Sequence, residues 1–78
     1  MLQQPAAALV RQFGDPRLDV REGDMRKLQF AGQVCVLDIF LYPLAQGAEP
    51  VASYVEARRS SDGQDVDKAA CVQSLVKR

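Results

Sequence analysis

The stretch GQVCVLDIFLYP, residues 32–43, constrains this chain more than any other. Val34 to Tyr42 is rich in β-branched and aromatic residues and is bounded by Gly32 and Pro43, which is the composition and punctuation of a strand. Side chains alternate across a strand. Cys35, Leu37, Ile39 and Leu41 therefore form one wholly apolar face that has to be buried. Val34, Val36, Asp38, Phe40 and Tyr42 form the other, which carries a carboxylate and a phenol and is expected to be at least partly wet. A cysteine at the head of the buried face is either a half-cystine, a reactive thiol or an inert core side chain.

A chain of 78 residues makes a single domain, residues 1–78. Such a domain buries only about 60–65% of the surface its unfolded chain exposes, so one covalent staple matters. Ten basic and ten acidic residues cancel. Nucleic-acid binding rests on excess Lys and Arg facing phosphates, so no nucleic-acid partner is expected, nor a polybasic membrane contact. No apolar run reaches the roughly 18–20 residues of a transmembrane helix, so no transmembrane span is expected. The opening MLQQPAAALVRQFG has no basic n-region, and Arg11 and Gln12 interrupt its apolar part, unlike a signal peptide.

The flanking sequence completes a small α+β pattern. Pro5 to Phe13 reads as a helix: proline suits a first helical position, Ala6, Leu9, Val10 and Phe13 share a face, and Gly14 with Pro16 stops it. Residues 17–22 read as an extended connection ending in a turn at Gly23-Asp24. Met25 to Phe30 is a strand with Leu28 and Phe30 on one face and Met25, Lys27 and Gln29 on the other. A hairpin through Ala31-Gly32-Gln33 leads into the central strand. After the loop 43–50, Val51 to Arg58 is a third strand, with Val51, Ser53, Val55 and Ala57 on the core side and Ala52, Tyr54, Glu56 and Arg58 outward. A last helix runs from about Asp65 to Val76, capped by Asp65 or Asp67. Its apolar positions are Ala69, Val72, Leu75 and Val76, with Cys71 at the margin, and Lys77 and Arg78 stand at the negative end of its dipole. The expected architecture is two layers: a three-stranded antiparallel sheet with the N- and C-terminal helices on one face.

That placement answers the cysteine question. Cys35 lies on the core face of the central strand and Cys71 on the helix that covers it, so the two can meet at disulfide distance. Closing a loop of this size stabilises by roughly 3–4 kcal/mol in the chain-entropy model. Two buried free thiols are the alternative, since free cysteine is a common core residue. A reactive thiol needs a neighbouring base or cation, and the chain has no histidine. A disulfide places the protein in an oxidising compartment.

No catalytic set emerges. Without histidine there is no Ser-His-Asp or Cys-His arrangement and no zinc set. SDGQDVDKAA brings Asp62, Asp65 and Asp67 together, but a calcium loop fails because its glycine is missing and Ala69 occupies an acidic position; turn formation and helix capping account for the acids. Asp38 and Glu56 stand on adjacent strands as a carboxylate pair, although Arg58 is a better partner for Asp38. No catalytic residue, metal ligand or cofactor is therefore expected. What remains is Val34, Val36, Phe40, Tyr42 and Tyr54, all pointing away from the helices. Uncovered, they form an apolar patch of the kind that marks a partner site. Covered by residues 17–22, or merely solvated, they do not.

FGDP after a helix, then REGD, then LQF and an apolar strand resembles small bacterial envelope proteins and lipoproteins of the SmpA/OmlA type. Gly14, Pro16, Gly23 and Phe30 match that pattern, and Leu28 stands where an aromatic residue is usual. A strand like CVLDIFLY with a second C-terminal cysteine is closer still to exported bacterial proteins of unknown function. The resemblance covers most of residues 9–71. It implies a helix plus a three-stranded sheet, a periplasmic or envelope location with the leader outside these 78 residues, and an interaction or assembly role with a protein partner, as a monomer or in weak self-association. The alternatives are an exported small-molecule binder with a cleft between helices and sheet, and a cytosolic protein with buried free thiols.

Overall fold

A computed structural model describes residues 2–76. The order of elements is α1 (Ala6–Phe13), β1 (Leu18–Glu22), β2 (Met25–Ala31), β3 (Cys35–Tyr42), β4 (Val51–Arg59) and α2 (Lys68–Leu75). The strands form one antiparallel sheet in the order β1-β2-β3-β4, and both helices contribute to a core on one of its faces. Lys77 and Arg78, expected at the end of the last helix, lie outside the described residues.

The sheet has four strands, not three. Residues 18–22, expected as a connection, pair with β2 from Leu18↔Gln29 to Glu22↔Met25. The intervening loop is only Gly23-Asp24, with Gly23 at φ +58°, the left-handed value that the first residue of a type II′ hairpin needs. All five β1 side chains are exposed. An edge strand with no buried face leaves no apolar alternation to read.

The core follows the alternation of β3. Cys35, Leu37, Ile39 and Leu41 are fully buried, joined by Leu28 and Phe30 from β2 and by Ala6, Leu9 and Phe13 from α1. The Phe13 and Phe30 rings meet at 5.1 Å. β4 corrects the expected parity. A register shift opposite Phe40/Leu41 pairs Phe40 with Tyr54 but Leu41 with Ala52. The extra residue of such a bulge flips the side chains beyond it, so Ala52 is buried in the core and Ser53 is exposed. Pattern counting runs straight through a bulge and places Ala52 outside.

α2 is shorter than the expected span. Asp67 caps it, accepting from the Ala70 N–H at 3.1 Å. The helix is turned so that Cys71, not Ala69, faces the sheet: Cys71 is its one buried residue, Val72 and Leu75 are half-buried, and Ala69 is exposed. Leu75 packs against the β2–β3 hairpin so closely that a Cβ on Gly32 would lie 2.7 Å from it. Cys71 is bonded to Cys35, with the Cα atoms 5.9 Å apart across 36 residues of sequence. The cysteines are thus neither free nor reactive thiols here.

Two outcomes are expected. Leu37→Ala and Ile39→Ala each lower stability by about 2–5 kcal/mol, and Phe40→Ala, on the half-exposed face, lowers it by less; thermal melts of the three rank them, and a reversed ranking contradicts the assignment of faces. Protein purified without reductant carries no alkylatable thiol, and Cys35→Ser with Cys71→Ser lowers stability by about 2–5 kcal/mol in denaturant titrations.

Candidate functional site

The sheet face away from the helices is laid out in rows. Antiparallel register sets Leu18, Gln29, Asp38 and Glu56 side by side across the four strands, and next to them Val20, Lys27, Phe40 and Tyr54. One row is mostly polar and the other carries the aromatic rings.

The polar row is the first departure from expectation. Asp38 is not wet: it is 2% exposed. A buried carboxylate has to be paired and hydrogen-bonded, and this one is. Gln29 Nε2 donates to Oδ1 at 2.7 Å, Arg58 Nη2 donates to Oδ2 at 2.9 Å, and Lys27 Nζ stands 4.0 Å from Oδ1. The Gln29 amide is held in that orientation from behind, because Arg17 donates to its Oε1 through Nε and Nη2 at 2.9 and 2.6 Å. Arg17, Gln29, Asp38 and Arg58 thus form a chain of charge-assisted bonds across the sheet. The cross-strand pair of Asp38 with Arg58 was legible in the alternation. Gln29 and Arg17 were not, since nothing marks a lone glutamine in a strand as buried. Glu56 lies opposite Asp38 but is engaged elsewhere, accepting from the Tyr54 hydroxyl at 3.1 Å.

The aromatic row is open. Phe40 and Tyr54 rings lie 5.6 Å apart at 44°. Lys27 Nζ sits 5.4 Å from the Phe40 centroid, and Lys68 Nζ reaches 5.8 Å from that of Tyr54, both within cation–π range. Tyr54 is 53% exposed and Tyr42 45%. Residues 17–22 do not cover this face; they extend it, adding exposed Leu18 and Val20.

The five residues expected to make one patch are not all brought together. Phe40 and Tyr54 are in contact, and Tyr42 follows on the same face of β3. Val36 is half-buried and lies beyond Asp38, on the other side of the polar row. Val34 is outside the strand, in the hairpin loop, 63% exposed, and about 25 Å from Tyr42 at the usual strand rise. Its carbonyl accepts from Ser60 N–H at 3.1 Å, a tie between two loops.

Recesses flank the sheet. A polar cleft of about 500 Å³ lies between the β1–β2 turn and the 43–50 loop, with Arg21, Arg26 and Glu49 on its walls. A mostly apolar notch of about 340 Å³ lies between β4 and α2, lined by Leu2, Tyr54, Val55, Lys68, Ala69 and Val72. Of the acids in residues 62–67, Asp62 accepts from Gln64 N–H and pairs with Arg59, and Asp67 caps α2. Among the described residues no group of three acidic, cysteine or histidine side chains converges as a metal site, and no helix is long and apolar enough to cross a membrane. Comparison with known families, curated proteins and solved structures finds no match for this chain.

The hydrogen bond from Tyr54 to Glu56, with that carboxylate's charge, holds the Tyr54 phenol above the ordinary tyrosine range. Protonated Tyr54 is the donor, so the bond favours the neutral form and is lost as the phenol ionises. Glu56→Gln is expected to bring the Tyr54 midpoint down, read from its ring carbon shift in an alkaline NMR titration; an unchanged midpoint contradicts the pairing.

Proposed function

We propose that this chain is a non-enzymatic interaction module of the bacterial cell envelope, binding a protein partner through the outer face of its sheet. The observation that carries this reading is the uncovered Phe40–Tyr54 pair, with Tyr42 beside it, on a face whose centre is fixed by the Asp38 network. Aromatic side chains bury large area at low rotamer cost and dominate interface energies. A charged but internally satisfied centre supplies a polar border that needs no new partner on binding. Val36, beyond that centre, belongs to the same face; Val34 serves it at most from the rim.

The buried disulfide supports an exported location, because such bonds persist in oxidising compartments. The SmpA/OmlA-like pattern of Gly14, Pro16, Gly23 and Phe30 supports an envelope assembly role. The runner-up, an exported small-molecule binder, has the apolar notch between β4 and α2 as its natural seat.

The test is a pull-down from bacterial envelope extract with the natural chain and with a Phe40→Ser, Tyr54→Ser variant whose fold is verified by circular dichroism. Specific capture by the natural chain is expected to fall at least tenfold in the variant. Equal capture by both removes the outer face from consideration.

A further inference from the structure

The two edges of the sheet are finished differently. The outer edge of β4 is covered at both ends. Gln3 N–H donates to the Ala52 carbonyl at 2.6 Å and Ala52 N–H to that of Gln4 at 2.8 Å. At the other end Arg59 N–H donates to Gln64 at 2.7 Å and Val66 N–H to Ala57 at 3.4 Å. No comparable segment lies along the outer edge of β1 among the described residues, and all five of its side chains are exposed.

The ladder tells which β1 groups face outward. Arg17 N–H donates to the Gln29 carbonyl at 2.7 Å, so Gln29 turns its main chain toward β1. Its partner Leu18 and, by the alternation of antiparallel ladders, Val20 and Glu22 turn theirs toward β2. The N–H and C=O groups of Asp19 and Arg21 therefore point away from the sheet. Unpaired edge groups are a template for another strand, and charged side chains ordinarily blunt them. Here the charges run Asp19-Val20-Arg21, opposite in sign about Val20.

We propose that β1 pairs with β1 of a second copy of this chain, antiparallel and centred on Val20, joining the two sheets into one. In that register the outward main-chain groups of Asp19 exchange hydrogen bonds with those of Arg21 of the second copy, and the two-fold axis repeats the exchange. Side chains directly opposite share a face, so Asp19 meets Arg21 twice, an attractive cross-strand pair each time. Val20 meets Val20. Leu18 stands across from Glu22, the one mismatched position, at the solvent-facing ends of the contact. Centring on Asp19 or on Arg21 sets like charges opposite each other, so the charge order selects a single register. It also sets a carboxylate directly opposite Arg21, whose cross-strand neighbour in its own sheet is Arg26, while the nearby Asp19 carboxylate is bonded to Arg26 at 2.9 and 2.6 Å. The interface is self-complementary and closed, as two-fold dimers are. With only five residues in the strand it belongs to the weak, reversible class.

This contact uses an edge and the proposed partner site uses a face, so each can fail alone. Sedimentation velocity on the natural chain, from micromolar to millimolar concentration, is expected to show a concentration-dependent shift from monomer to dimer. Asp19→Arg and Arg21→Asp, taken singly, turn both cross-strand pairs repulsive and weaken self-association by roughly tenfold or more. An equimolar mixture of the two variants regains it, because every charge on one strand then faces its opposite on the other; that recovery also shows that each variant is folded. Arg21→Pro removes an outward N–H while leaving the β2 ladder intact, and is expected to stay monomeric with an unchanged circular dichroism spectrum. Amide exchange of Asp19 and Arg21 in the natural chain slows as concentration rises. Phe40→Ser with Tyr54→Ser leaves self-association as it is. A natural chain that stays monomeric throughout, or single charge variants that associate as well as it does, overturns the proposal.

Discussion

The bond between Cys35 and Cys71 holds together two elements that packing alone would join weakly. α1 has its own reason to dock: three of its eight residues are buried, and the Phe13 ring packs at a tilt against Phe30. α2 has one buried residue, and that residue is the cysteine. An eight-residue helix is marginal by itself, and half-buried Val72 and Leu75 add only part of a side chain's burial each. The disulfide supplies the missing restraint by closing a 36-residue separation in the unfolded chain. It also sets the helix rotation. Because Cys71 must face β3, Ala69 is left exposed although the sequence offers it for the core.

The other face of the same strand is organised by a charge. A carboxylate at the middle of the sheet, almost wholly removed from water, is tolerable only with full partnering. Asp38 obtains it from both neighbouring strands, Gln29 and Lys27 on β2 and Arg58 on β4, and from Arg17, just before β1, through Gln29. β2, β3 and β4 thus each contribute a side chain to a cluster that depends on their register. Slipping β2 by one residue would replace Gln29 with Leu28 or Phe30 and leave Asp38 Oδ1 without its hydrogen bond. The apolar face drives collapse, and the polar row specifies which collapsed arrangement is native.

What could be read in the sequence follows from which signals are local. The helix read over Pro5–Phe13 and the strand read over Val34–Tyr42, each one residue longer than observed, rest on period or alternation within one element, and the pairing of the cysteines and the Asp38–Arg58 bridge rest on which faces those patterns assign. Three features escaped, for different reasons. β1 buries no side chain, so it carries no amphipathic pattern and is defined only by its hydrogen bonds to β2. The β4 bulge breaks the two-residue period at Ser53, which moved Ala52 from the outer to the core face. The burial of Asp38 depends on Gln29 and Arg17, nine and more residues away in sequence, and no rule of alternation distinguishes a covered polar residue from a wet one.

These same features decide what the outer face offers. Had residues 17–22 folded over the sheet, Phe40 and Tyr54 would be core. Because Gly23 turns the chain back into plane as a two-residue hairpin, the segment widens the face instead, and Val20 continues the row of Lys27, Phe40 and Tyr54 to the edge. The bulge acts at the far side: it keeps Tyr54 beside Phe40 while turning Ala52 inward, where its main chain pairs with residues 3 and 4 and closes that edge. The β4 edge is thus paired at Ala52 with the chain's own N-terminal segment, whereas among the described residues the β1 edge carries no such segment, which makes the β1 side the more open of the two to another strand.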